Sequence, residues 1–266
     1  MRYRKKTGLT LGICAGVLAI VAVGVGTGVV VKMFGEKDET REETYVPEEM
    51  ESQPEQQDTE ISPEKPLSYT SEMIQAGDYV TVEYPVFSGG EYQEAVQRLN
   101  ERVKSEAERI ALEQETEMNS FLAEAEEMDM DISVSFERSL KNVYIEGSMI
   151  YVEQFDYSYT GGAHGLAALT GINYDLKAER ELSMEEVLGC SEESAVEAAA
   201  QAFSRTELVQ EGIITLDQVR ENLDEAAYCM TEEGLHIVFP QYSLGAYAIG
   251  MPEAVVTEQD VKDAQG

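Results

Sequence analysis

Residues 149–165 read MIYVEQFDYSYTGGAHG, and the part up to Tyr159 predicts a long β-strand that ends at a glycine-rich turn. Alternation of apolar and polar residues, with several tyrosines, is typical of a strand that has one buried face. The same period of two starts at Ile132 and returns at 172–174, with turn signals at 146–147 and 161–162. The sequence from 132 to 175 therefore predicts several antiparallel strands.

Helical segments are predicted before and after these strands in the sequence. Apolar residues recur at helical spacing from 91 to 128, with charged residues on the opposite face, which predicts one long amphipathic helix. A short strand at 79–84, stopped by Pro85, precedes it. Shorter helices are predicted at 183–188, 191–209 and 216–224, and a final hairpin joins 226–231 to 235–239. The predicted fold class is α+β: an antiparallel sheet with one long amphipathic helix and further helices packed on it.

The amino-terminal residues predict a membrane anchor. Residues 8–31 are uncharged and mostly apolar, and a helix of this length reaches about 36 Å, enough to cross a hydrocarbon core of about 30 Å. Cations before the run and acidic residues after it place the short amino end in the cytoplasm and the rest outside. A cleaved signal peptide is the alternative, but its apolar region is normally about 7–15 residues long. Five glycines separated by multiples of four form a stripe that favours a homodimer through the anchor: Gly8, Gly12, Gly16, Gly24 and Gly28.

Composition divides the rest of the chain. The net charge is −33, from 52 acidic and 19 basic residues, which makes nucleic acid and anionic lipid poor partners and leaves a cationic partner open. Solubility alone is the simpler explanation of this acidity. The stretch 36–65 has almost no large apolar residues and predicts a disordered spacer. The predicted parts are a tail at 1–6, a transmembrane helix at 7–33, an acidic spacer at 34–66, subdomains at 67–130 and 131–260, and a tail at 261–266.

The segment 156–165, DYSYTGGAHG, is the most specific candidate site. Gly161 and Gly162 permit a tight turn, Tyr157 and Tyr159 offer rigid contact area, and His164 offers a polar contact, as expected of an exposed recognition loop. A structural turn whose histidine bonds the neighbouring backbone explains the same pattern equally well. The sequence leaves both interpretations open.

No catalytic residue, metal site or cofactor is predicted. The two histidines, His164 and His236, are far apart and lack zinc-site spacing, and no nucleophile motif occurs. His236 is predicted to be half-exposed on a strand whose other face carries Leu235 and Ile237. Cys190 and Cys229, the two cysteines outside the anchor, are either a disulfide or two free thiols.

Several motifs resemble the extracytoplasmic domain shared by the anti-sigma-V factor RsiV and the exported peptidoglycan deacetylase PdaC. The resemblance spans 70–258 and rests on YSYTGGAHG at 157–165, NYDL at 173–176, LSMEEVL at 182–188 and EEGLHIVFPQYSLGAYAIGMPEAVV from Glu232. It implies an α+β fold with a central antiparallel sheet and, for the anti-sigma relative, a membrane receptor that binds lysozyme. Tyr242 and Tyr247, within the last motif, join the candidate ligand-binding residues.

Departures from these relatives limit what the resemblance implies. RsiV has a sigma-binding domain before its anchor, where this sequence has only residues 1–6, and PdaC has a catalytic domain after this one, where this sequence ends at Gly266. The turn at 177–180 also lacks the glycine usual in the family. The leading hypothesis is a non-enzymatic, membrane-anchored binding or sensor protein for lysozyme or a cell-wall component on a Gram-positive-type bacterium. The alternatives are an anti-sigma-type protein acting through a partner and, least favoured, a cell-wall hydrolase.

Overall fold

The computed structural model describes residues 65–266. The predicted anchor, its glycine stripe and nearly all of the predicted spacer lie outside the described residues. Within 65–266, no helix combines the length and the apolar character needed to cross a membrane.

The first half of the described chain forms a six-stranded sheet with a long helix on it. The strands lie in chain order across the sheet, and every neighbouring pair is antiparallel except β2 and β3, which run parallel where 80–82 meet 136–138. A parallel pair needs a crossover, and α1, Gln93–Glu127, supplies it. The strands are β1 Ser68–Ala76, β2 Val80–Ser88, β3 Ser135–Glu146, β4 Met149–Tyr159, β5 Leu166–Asp175 and β6 Arg180–Glu181.

The first core lies between this sheet and the apolar stripe of α1. Leu99 and Met118 of the helix are buried together with Val82, Ile150 and Val152 of the strands. Burying side chains of this size stabilises the fold by about 1.5–3 kcal/mol each. The opposite face of α1 carries its charged residues, as the sequence pattern predicts.

The second half forms a three-stranded antiparallel sheet covered by short helices. Its core centres on Phe203 and Phe239, whose rings meet edge to face with centroids 5.3 Å apart. The strands are β7 Ala227–Thr231, β8 Gly234–Val238 and β9 Glu253–Val256. The helices are α2 Met184–Leu188, α3 Glu192–Ser204, α4 Glu207–Gln210, α5 Leu216–Glu221 and α6 Glu258–Gln265.

The two sheets meet where β7 lies against β5. A Cβ atom on Gly171 would come within 1.9 Å of the Tyr228 carbonyl oxygen, so only glycine allows this approach. Two residues on, the buried Asn173 donates from Nδ2 to the Tyr228 carbonyl at 2.9 Å and accepts from the Met230 amide at 3.3 Å. The side chain of Asn173 thus bonds the edge of β7 as a neighbouring strand would.

The structure confirms the predicted α+β class, the bounds of β4 and, within two residues, those of the long helix. It corrects other elements. β2 does not stop at Pro85 but runs to Ser88. Beyond Val82, β2 pairs with β1 alone. The backbone nitrogen of Pro85, which carries no hydrogen, can therefore face the side of β2 that has no partner strand. The helix predicted over 191–209 breaks after Ser204 into α3 and α4.

Four strands or helices were not predicted: β1, β6, β9 and α6. Residues 261–266, predicted as a tail, largely belong to α6, whose start is capped by Thr257. The predicted boundary at 130 falls between α1 and β3, which share the first core, whereas the second core begins after β6.

Candidate functional site

His164, Tyr242 and Tyr247 meet at the surface, and we call these three residues the aromatic cluster. The imidazole of His164 stacks on the ring of Tyr247 with centroids 3.6 Å apart and planes at 15°. The Tyr242 hydroxyl lies 3.3 Å from Nε2 of His164, and the two tyrosine rings are 5.8 Å apart. His164 comes from the β4–β5 loop and the tyrosines from the segment after β8. The cluster therefore joins loops from both sheets.

The other predicted site residues lie around this cluster in different roles. Tyr157 is 39 % exposed, and its ring covers Gly165, where a Cβ atom would come within 2.4 Å of it. The Tyr159 hydroxyl instead donates to the Gly162 carbonyl at 2.9 Å and so closes the turn. Gly161 has φ +83° and lies against Ile132, so it serves the turn as well. Tyr157 adds exposed area beside the cluster, while Tyr159 and the glycines shape the loop.

The backbone of Tyr242 is unusual. Its φ is +72°, in the left-handed region that bulky residues rarely adopt, and its side chain is 50 % exposed. An exposed ring gains little packing energy to offset this cost, and such conformations concentrate at functional sites.

His164 also places Nδ1 3.2 Å from the Gly165 carbonyl. The loop thus has both features that the sequence allowed, a histidine bonded to local backbone and an exposed aromatic surface.

A second group of titratable side chains lies between the sheets: Glu153, His236 and Glu253, which we call the acid–histidine cluster. Glu153, in the middle of β4, is 3 % exposed, and its carboxylate hydrogen-bonds Nδ1 of His236. Nε2 of His236 lies 3.2 Å from the Glu253 carboxylate. Burial lowers the pKa of His236, but Glu153 and then Glu253 outweigh it and raise that pKa overall. The cluster lines an open groove of about 550 Å³.

Cys229 lies opposite His236 in the β7–β8 register, yet the two do not form a thiolate–imidazole pair. Both ring nitrogens of His236 contact carboxylates, and the Cys229 Sγ lies 3.6 Å from the Met230 carbonyl. Burial raises the pKa of Cys229 to about 12, so its thiol stays protonated. Within 65–266, no group of three or more histidine, cysteine or acidic residues is placed to hold a metal ion.

Cys190 and Cys229 are free thiols in the structure, so the disulfide that the sequence left open is not formed there. Cys190 packs against the second core, whereas Cys229 lies on the other face of β7, near Glu153 of the first sheet. The two thiols therefore belong to different packed layers.

Sequence reasoning missed the buried contact between Glu153 and His236. A signal existed, because Glu153 interrupts the apolar run of β4 and His236 interrupts LHIVF in β8. Pairing them required the relative position of the two sheets, which no local pattern contains.

Comparisons with known proteins agree with this architecture. Residues 69–167, less than half of the chain, match the family model described as deacetylase PdaC. The search of curated proteins gave no match. A DUF3298 family member from Bacteroides fragilis has a similar fold, with a TM-score of 0.50 and 15 % identity over 75 % of this chain and 92 % of that one. A DUF3298 family protein from Pseudomonas aeruginosa gives a TM-score of 0.46 and 19 % identity over 74 % and 92 %. The chain is thus similar to the PdaC family over residues 69–167 and has the fold of a DUF3298 protein.

Proposed function

We propose that this chain is a membrane-anchored, extracytoplasmic binding protein whose aromatic cluster, together with Tyr157, contacts a cationic extracellular protein. Lysozyme is the first candidate, and a cell-wall component is the other ligand class considered. The observation that carries the proposal is the gathering of His164, Tyr242 and Tyr247 into one exposed stack from segments far apart in sequence.

The chemistry of the cluster suits protein recognition. Tyrosine and histidine rings give large contact areas and lose few rotatable bonds on binding, and aromatic residues dominate the energy of many interfaces. Tyr242 and Tyr247 are 50 % and 36 % exposed, so both rings are accessible. The strongly acidic composition adds long-range attraction for a basic partner. Attraction brings the partner close, and the aromatic contacts give the complex its specificity.

The test is calorimetric titration of the full chain, solubilised in detergent, with lysozyme at low salt and at about 0.5 M salt. Charge attraction is screened over about 8 Å at physiological ionic strength and less far at higher salt. We expect binding to weaken but persist at high salt. Tyr247→Ala and His164→Ala should each weaken the persisting binding about 30-fold, as loss of a central interface residue costs about 2 kcal/mol.

Tyr79→Ala provides a matched control, because Tyr79 is 41 % exposed but lies in the β1–β2 turn of the first sheet. It should leave lysozyme binding unchanged. Binding that vanishes at high salt, or that falls equally in the control and in the cluster variants, would leave only a general acidic attraction and contradict the proposal.

A further inference from the structure

β1 is the long open edge among the strands that the structure describes. Its nine residues pair with β2 without interruption, from Ser68 opposite Ser88 to Ala76 opposite Val80. In the described part of the chain, its other side has no partner strand. The other outer strands are shorter, since β6 has two residues, β9 has four and β7 has five, and Asn173 already bonds the edge of β7. Among the described strands, only β1 offers a row of nine residues with free backbone donors and acceptors.

This edge lacks the features that usually prevent strand addition. Edge strands are commonly protected by lysine, proline or a bulge. β1, with the sequence SYTSEMIQA, has no lysine and no proline, and its register with β2 has no bulge. Its side chains include Met73, 66 % exposed, and Tyr69, 45 % exposed. An open edge of this kind is suited to pairing with another strand.

The low charge of β1 allows a second copy of this chain to approach as the added strand. Two copies of a protein with net charge −33 repel each other over most of their surfaces. β1 carries one charged residue, Glu72, whose carboxylate accepts a hydrogen bond from the Tyr84 hydroxyl at 2.6 Å. Because a quarter of all residues are charged, this nearly neutral stretch is a place where two copies can approach closely.

The sequence of β1 also selects a register. A two-fold axis pairs a strand with itself in antiparallel fashion and places one residue opposite its own copy. With Ser71 on the axis, Tyr69 lies opposite Met73 of the second copy, and Glu72 lies opposite Thr70. In this register, Met73 of each copy packs on Tyr69 of the other copy. The two thioether–aromatic contacts cover the most exposed apolar side chains of β1. This register also keeps the two Glu72 carboxylates from facing each other directly.

We propose that β1 binds β1 of a second copy in antiparallel fashion about a two-fold axis at Ser71, joining two six-stranded sheets into one continuous sheet. The contact is a strand pair between identical edges. It is independent of the aromatic cluster, which involves the β4–β5 loop and the segment after β8.

Oxidative crosslinking of the full chain in membranes tests the register. Ser71→Cys places two thiols directly opposite each other, with Cβ atoms about 5 Å apart. Gln75→Cys is the matched control, because it lies on the same face of β1 and its two thiols would lie eight positions apart along the strands, about 26 Å. We expect the Ser71→Cys chain to form severalfold more covalent dimer than the Gln75→Cys chain or the parent with its native cysteines.

A second variant tests the contacts. Met73→Ser, added to Ser71→Cys, removes both Met73–Tyr69 contacts and should reduce the crosslinked dimer severalfold, while the exposed position leaves the unfolding temperature unchanged. Equal crosslinking at positions 71 and 75, crosslinking at 75 alone, or none above the parent would overturn the proposal.

Discussion

At the scale of single residues, His236 contacts the buried carboxylate of Glu153. A carboxylate as buried as that of Glu153 is costly to desolvate unless a cation or donor pairs with it. Protonated His236 provides both, and Glu253 adds a second acceptor on the other ring nitrogen. Because contact with these carboxylates raises the pKa of His236, the protonated form contributes to stability.

This contact predicts a pH dependence with a definite sign. Since the folded pKa of His236 is raised, its stabilisation is fully present below the unfolded value of about 6.5 and is lost as pH rises through the folded pKa. We expect the free energy of unfolding to be lower at about pH 9 than at about pH 6, because this stabilisation is lost as pH rises above the ordinary value of about 6.5. His236→Gln should reduce this fall and destabilise the chain at the lower pH by about 1–3 kcal/mol.

Urea unfolding of the parent and of His236→Gln at both pH values measures this effect. His164→Gln is the control, because the imidazole of His164 contacts tyrosines and local backbone rather than a carboxylate. A parent and a His236→Gln variant with identical pH dependence would show that this contact is not linked to protonation.

At the scale of secondary-structure elements, the docking of β7 on β5 depends on Gly171. Gly171→Ala would place a methyl group 1.9 Å from a backbone oxygen of β7, and a backbone cannot move aside as a side chain can. We expect a loss of about 1–3 kcal/mol or more in the free energy of unfolding, as for other overpacked sites. Gly162→Ala is the control, because its added Cβ has its nearest neighbour at 3.8 Å and should change stability little. Denaturant titration of both variants checks the prediction, and equal stabilities would contradict it.

The elements that the sequence predicts well are those with a strong period. β4 and α1 each have one face in the first core, so their apolar residues recur at the spacing of a strand or a helix. β1 is largely exposed and shows no such alternation, so nothing in its pattern indicated a strand. α6 is short, but Thr257 and Asp260 form a reciprocal cap, a spacing that could have indicated its start.

The candidate site was predictable only in part. The residues of the aromatic cluster were identified from a loop pattern and from a resemblance, but their contact depends on how two distant segments pack.

The turn at 177–180 illustrates another limit. Glu179 occupies its left-handed position, with φ +54°, and its carboxylate accepts two hydrogen bonds from Arg98, at 2.7 and 2.8 Å. Glu179 thus makes a long-range ion pair with Arg98 at a position where the left-handed backbone favours glycine.

At the scale of the whole molecule, the last two residues of the predicted spacer make contacts with the folded part. The Lys65 carbonyl accepts a hydrogen bond from the Gly90 amide at 2.8 Å, and Pro66 lies against Gly89. Residues 65 and 66, assigned to the spacer from composition, therefore contact the start of the long helical segment. The acidic stretch 36–64 has few large apolar side chains that could add to a core.

Shortened chains test where folding begins. A chain starting at Lys65 should unfold within about 1 °C of one starting at Glu36, because a tail without apolar side chains adds few contacts. A chain starting at Leu67 loses the bond to Gly90, worth about 1 kcal/mol, and should unfold about 2–4 °C lower. Thermal unfolding followed by circular dichroism measures all three. A large drop for the Lys65 chain would show that the acidic stretch packs on the domain.

The bonds that Asn173 makes to β7 have a consequence for the order in which the chain is synthesised. An uncovered strand edge is a hazard for aggregation while a protein is still folding. Asn173 and the whole six-stranded sheet, which ends at Glu181, leave the ribosome well before β7 at Ala227–Thr231. The surface that receives β7 can therefore exist before β7 does. The Asn173 side chain is then in place to bond the edge of β7 when this strand forms, which shortens the time that a nascent chain exposes it.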